Sequence, residues 1–175
     1  LLDLDDVDDT IDMVSESPYI DSDIAVEYLT KFKDEFTVLS LNIQSLSAKY
    51  SKLTSFLQNL SNSDLFFSAI CLQETWMNGD ISDYPLYTNI PHYQTIFLKA
   101  SCSTHGGLII FLHESFTYTN RNLYTRSKIW EGIFIDVHHQ SFKQKLTLCN
   151  IYRPPRNRNC DIDSFLSIYE PVTHM

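Results

Sequence analysis

The chain has 175 residues, enough for one domain, and 43% are hydrophobic, with 11 Phe and 10 Tyr, which excludes a wholly disordered or fibrous protein. Only 4 Gly and 6 Pro occur and no internal period is visible, so repeat and low-complexity arrays are excluded as well. A formal net charge of −9 would argue against a polyanionic partner, but residues 1–35 hold 12 of the 22 acidic side chains beside only Lys31 and Lys33, leaving residues 36–175 close to neutral.

Residues 1–35 read as an acidic, mostly unstructured leader in which Asp-rich stretches alternate with single Leu, Val, Ile and Met residues. The Asp clusters lack the mid-loop Gly and closing Glu of an EF-hand. A short helix around Ile20–Leu29 is compatible with the pattern. The opening LLDLDDVDD has no basic start or long apolar stretch, and no run reaches the length of a membrane span. The expectation is a soluble intracellular protein, nuclear or cytoplasmic. Cys71 and Cys149 lie inside apolar runs, as reduced structural thiols do, and we expect no disulfide framework.

From Phe36 onward the texture is that of a folded unit, residues 36–175. Phe36–Ile43 is rich in strand formers. Ser45 or Ser47 then caps a helix whose apolar residues Leu46, Tyr50, Leu53, Phe56, Leu57 and Leu60 share one face. Leu65–Gln73 reads as a second buried strand, so the segment is a strand–helix–strand unit with parallel strands. Trp76–Ile90 suits an irregular loop. Strands are expected at Tyr93–Leu98, Gly107–Leu112, Ile129–Val137 and Lys145–Ile151, with a turn at Ser101–Thr104 and a hairpin at Gln140–Lys143. Pro154 and Pro155 end the last strand, and Asp161 or Asp163 caps a helix through Phe165, Leu166 and Tyr169.

Polar residues interrupt these apolar strands at informative places. Asn42 ends the first strand, Gln73-Glu74-Thr75 ends the second, and Tyr152-Arg153 ends the last. Parallel neighbours would bring Asn42 and Glu74 to the same sheet edge, where α/β proteins place ligands. A carboxylate, a carboxamide, a phenol and a guanidinium there could hold Mg²⁺ and a phosphate, since a hard cation takes one or two carboxylates with waters and phosphate oxygens. Taken singly, each residue has a plainer explanation: Glu74 as a loop residue, Asn42 as a cap, Tyr152 as core, and Arg153, Arg156 and Arg158 as a solvated basic run. Cys102 and His105 are spaced like half of a zinc site, but no second pair accompanies them. Trp76 and Trp130 suit packing better than base stacking.

Five segments, LSLNIQSL (39–46), ICLQETW (70–76), HGGLIIFL (105–112), WEGIFIDV (130–137) and LCNIYRPP (148–155), together resemble the endonuclease/exonuclease/phosphatase family. The resemblance is nearest to the endonuclease domain of LINE-type (non-LTR) retrotransposons and covers almost everything from Phe36. It implies an α/β fold, a four-layer sandwich of two packed β-sheets flanked by helices, and Mg²⁺-dependent (or Mn²⁺-dependent) nicking of DNA. By the family pattern Glu74 matches the metal-binding carboxylate. Asn42 matches the Asn that helps organise metal and phosphate, and Tyr152 the Tyr that contacts the scissile phosphate. Arg153 and Arg156 are the expected phosphate contacts, with His105 lining the cleft. A reverse-transcriptase domain in the same parent polyprotein would be the expected neighbour.

Departures from the family pattern matter as much. Gln44 stands where some relatives have an Asp, and no Gly-Asp-x-Asn or Ser-Asp-His segment follows Tyr152. The expectation is therefore the N-terminal part of such a domain, truncated before the second half is complete and inactive alone. The alternatives are a catalytically dead remnant or binding module, and a phosphatase acting on other substrates, which the LNIQSL and NIYRPP segments disfavour.

Overall fold

Apolar alternation along the strands decides how the layers stack. The computed structural model describes residues 22–121, 125–126 and 130–153. Helix α1 (Ser22–Lys31) leads into strand β1 (Val38–Asn42), helix α2 (Leu46–Ser61) and strand β2 (Ala69–Gln73). After a 3-10 turn at Ile81–Asp83 come the short helix α3 (Pro85–Thr88) and strands β3 (Tyr93–Leu98), β4 (Leu108–His113) and β5 (Thr117–Asn120). The two-residue β6 (Thr125–Arg126), then β7 (Glu131–His138) and β8 (Leu146–Tyr152), complete the described elements.

The first sheet has the order β1-β2-β4-β3, with β1 and β2 parallel and the other pairs antiparallel. In the second sheet β7 is central and pairs antiparallel with β5, β6 and β8. Successive side chains of a strand point to opposite faces. Thus Ile70 and Leu72 of β2, with Ile109 and Phe111 of β4, pack on Leu46, Leu53, Leu57 and Leu60 of α2. The intervening Ala69, Cys71, Leu108, Ile110 and Leu112 meet Ile133, Ile135 and Val137 of β7. The result is helices on one face of the first sheet and the second sheet on its other face. The α/β class and the packing of two sheets agree with the expectation from sequence. The helix expected after Asp161 lies outside the described residues.

Several expected boundaries shift for identifiable reasons. The leader does not extend to residue 35: Ala25 and Leu29, one helical turn apart on α1, are buried in the same core as α2. Asp23 in the first turn and Lys31 in the last suit the helix dipole. Residues 1–21 lie outside the described residues. The strands expected from Phe36 and from Leu65 begin later, at Val38 and Ala69, because side chains replace ladder bonds before them. Thr37 N–H donates to Ser68 Oγ and Ser68 N–H to Thr37 Oγ1, each over 3.1 Å. The span Trp76–Ile90 is not wholly irregular, for Pro85 opens α3 at its first turn and the rings of Tyr87 and Tyr50 meet edge to face at 5.2 Å. Strands β5 and β6 were not expected. Thr117–Asn120 is polar and largely exposed, and β6 is only two residues long, so neither carries an apolar alternation.

The two sheets are also tied by a buried amide. Asn150 falls in phase with the inward-facing Leu146 and Leu148 of β8. Its Nδ2 donates to Leu72 O at 3.0 Å and to Ile109 O at 2.9 Å, while its Oδ1 accepts from Gln73 Nε2 at 2.6 Å. A buried amide satisfied in this way fixes the register of one sheet on the other.

Candidate functional site

Two loops leave the carboxyl ends of β1 and β2 side by side. Ile43 N–H donates to Gln73 O, Ser45 N–H to Glu74 O and Leu46 N–H to Thr75 O, at 2.9–3.0 Å. Both loops hold non-glycine residues at positive φ: Gln44 at 46° and Ser45 at 80° in one, Glu74 at 55° and Trp76 at 60° in the other. Each such residue costs on the order of 1–3 kcal/mol and persists only where its surroundings over-determine it. The cross-ties supply part of that constraint, and Gly107 and Gly106 supply more by accepting from Thr75 N–H and Trp76 N–H at 3.1 Å. Both glycines are themselves at positive φ, 77° for Gly106 and 82° for Gly107, which a residue without Cβ adopts at little cost.

This frame presents the Glu74 carboxylate, half-buried, to three donors. Asn42 Nδ2 donates to Glu74 Oε1 over 3.0 Å. The Tyr152 hydroxyl, from the end of β8 in the other sheet, and the Trp76 indole N–H also favour the charge of the same carboxylate, with Asn42 alone in full hydrogen-bond geometry. Burial pushes the Glu74 pKa up, but the donors Asn42, Tyr152 and Trp76, with the nearby His105, more than offset this and hold it below the usual range. Tyr152 shifts the other way. Burial, then its bond to Glu74, then the charges of Glu74 and Glu131 push its phenol well above the ordinary value. Tyr152 therefore stays protonated at neutral pH and acts as a donor.

Of the residues expected at the site, Asn42, Glu74 and Tyr152 come together. Arg153 is exposed directly after Tyr152, and Arg156 lies outside the described residues. His105 is exposed and close enough to Glu74 to favour its charge, with Nδ1 2.9 Å from Cys102 Sγ. Among the described residues no three His, Cys, Asp or Glu side chains cluster to hold a metal ion. Trp130 is buried and meets Phe134 edge to face at 6.0 Å, as expected of packing.

One residue at the site was missed from sequence. Glu131, at the start of β7, is only 6% exposed and sits opposite Tyr152 in the ladder. Its Oε2 accepts from Gly107 N–H over 2.6 Å. The signal was legible, since Glu131 is in phase with Ile133, Ile135 and Val137, and a carboxylate on the apolar face of a strand demands a partner.

No protein-family model and no curated protein matches the chain.

The donor set can be compared with the needs of Mg²⁺ on its own chemistry. A single ionised carboxylate beside a carboxamide suits a hard cation that keeps most of its water and takes further oxygens from a phosphate. Asn42 uses its nitrogen on Glu74, which leaves Oδ1 as an oxygen donor. The residues fit one protein ligand with an accessory oxygen, not a closed cage. Among the described residues no helix is long and apolar enough to cross a membrane.

Proposed function

We propose that the Asn42–Glu74–Tyr152 constellation is the metal- and phosphate-holding part of a DNA strand-cleaving site of the endonuclease/exonuclease/phosphatase type, nearest to LINE-type retrotransposon endonucleases. The observation that carries this reading is that Asn42 donates to one half-buried carboxylate, whose pKa it and Tyr152, from the other sheet, hold down. Glu74 would hold Mg²⁺ or Mn²⁺, and Asn42 would fix which carboxylate oxygen faces it. Bound there, the ion would draw negative charge off a phosphoryl oxygen. Tyr152, kept protonated, can share its hydroxyl proton with a phosphate oxygen, and Arg153 stands beside it as a further cation for the DNA backbone. A reverse-transcriptase domain in the same polyprotein is the partner this reading implies.

The test is fluorescence anisotropy of a labelled DNA duplex with the whole chain, in Mg²⁺ and in EDTA. Binding should tighten with Mg²⁺, weaken with salt as phosphate contacts do, and lose its Mg²⁺ dependence in Glu74→Gln. Equal binding with and without Mg²⁺ would count against the reading, and would favour a module that holds DNA without metal.

A further inference from the structure

We infer that Glu131 is a positioning residue: it braces the Gly106–Gly107 turn, which in turn clamps Glu74 in its left-handed conformation. This rests on the functional reading above only for its consequence in catalysis, since the brace itself is a matter of geometry. Glu131 Oε2 receives Gly107 N–H at 2.6 Å. A Cβ placed on Gly106 would lie 2.9 Å from both carboxylate oxygens of Glu131, so the carboxylate is seated against the turn with no room for a side chain between them. The turn's two carbonyls receive Thr75 N–H and Trp76 N–H. On the far side the contact is equally close, for a Cβ on Gly107 would meet Thr75 Oγ1 at 2.5 Å.

The chain of contacts is therefore Glu131, the glycine pair, the backbone of Thr75 and Trp76, and Glu74 between two constrained neighbours. Glu74 and Trp76 both hold positive φ without being glycine, and such residues relax to ordinary backbone when their restraints go. Relaxation would move the Glu74 carboxylate off Asn42 and Tyr152. Glu131 itself need not touch metal or phosphate.

Loss of the brace would free the Thr75 and Trp76 amides from the turn's carbonyls and move the Glu74 carboxylate off the Asn42 amide. The experiment is hydrogen exchange at the Thr75 and Trp76 backbone amides and the Asn42 side-chain amide, in the whole chain without metal or DNA. Glu131→Ala should speed exchange at Thr75 and Trp76 by about tenfold, an amount in keeping with one lost charge-assisted bond, and should shift the Asn42 side-chain amide signal, while Ile110 and Ile133 in the core keep their rates. Gly107→Ala, which strikes the same clamp from the Thr75 side, should act in the same direction.

Unchanged exchange at Thr75 and Trp76 in folded Glu131→Ala would overturn the inference. So would a uniform rise in exchange that includes Ile110 and Ile133, which would make Glu131 a support of the fold and no more. Should Glu131→Ala fail to fold, Glu131→Gln carries the test with a smaller rise at the same two amides, and no rise there overturns it. None of these readouts depends on nuclease activity, so a failure of the phosphodiesterase reading leaves them unaffected.

Discussion

Asn42 Nδ2 donates to Glu74 Oε1 over 3.0 Å, across two loops whose backbones are already tied by three hydrogen bonds. The amide therefore selects one orientation of the carboxylate and favours its ionised form. Removing it in Asn42→Ala should raise the Glu74 pKa, readable by carboxyl NMR, and cost about 0.5–1.5 kcal/mol of stability at neutral pH. The sign follows from linkage. The folded pKa of Glu74 is depressed, so its contribution is present above the ordinary carboxylate pKa and is lost as pH falls through the folded value. The variant and the parent should then converge in stability under acid conditions. A constant gap down to the lowest pH would show that the amide acts on something other than the charge of Glu74.

Tyr152→Phe keeps the ring, which packs between the sheets, and removes only the hydroxyl that Glu74 accepts. The expected loss is about 1 kcal/mol near neutral pH, with a rise in the Glu74 pKa. At the alkaline end the folded pKa of Tyr152 is raised, so the stability it contributes is complete below the ordinary tyrosine pKa and disappears as pH climbs through the folded one. Ultraviolet titration should accordingly show one tyrosinate signal missing from the late part of the parent curve in Tyr152→Phe. An identical late curve in both proteins would contradict the assignment, although Tyr93, likewise raised by burial, must be replaced in parallel as a control.

Away from the site, Asp136 on β7 accepts from Arg121 Nε at 2.7 Å and Thr147 Oγ1 at 2.8 Å, and Lys145 Nζ lies 2.9 Å from its other oxygen. Burial pushes its pKa up, but Lys145, Thr147 and Arg121 outweigh this and bring it down to about 2. Asp136 thus contributes stability above the ordinary Asp pKa and loses it as pH falls toward 2. Asp136→Asn should destabilise by about 1–3 kcal/mol at pH 7 and flatten the acid limb of a stability-versus-pH curve. An unchanged acid limb would mean that the three partners do not act on its charge.

Helix α1 carries a direct test of where the folded unit begins. Leu29 is 2% exposed in the core shared with α2, so Leu29→Ala should cost about 2–5 kcal/mol in denaturant unfolding. A change under about 0.5 kcal/mol, typical of exposed positions, would return residues 22–35 to the leader.

The contrast between α1 and the strands explains how much could be read from sequence. Strands β2, β4 and β7 were legible because they are continuous apolar runs, and β3 because a turn at Ser101–Thr104 follows it. The parallel pairing of β1 with β2 followed from the helix between them. Asn42, Glu74 and Tyr152 were legible as polar residues ending apolar strands. A short helix around Ile20–Leu29 was legible and α1 falls there, but its place in the core was obscured because Asp23 and Glu27 share it with Ala25 and Leu29. Glu131 was passed over although its phase with Ile133, Ile135 and Val137 was legible, because it is a single charge inside a segment whose apolar character dominates. The brace it forms with Gly106 and Gly107 joins residues 24 positions apart, which no local pattern encodes.

Under the function proposed above, Glu74, oriented by Asn42, would hold a hard cation. The most direct test is Mn²⁺ titration of the whole chain followed by paramagnetic broadening in NMR. The account predicts that the Asn42 side-chain amide and the Glu74 and Thr75 backbone amides broaden first, that excess Mg²⁺ reverses the effect, and that Glu74→Gln abolishes it. Broadening that begins elsewhere, or that survives in Glu74→Gln, would contradict the account.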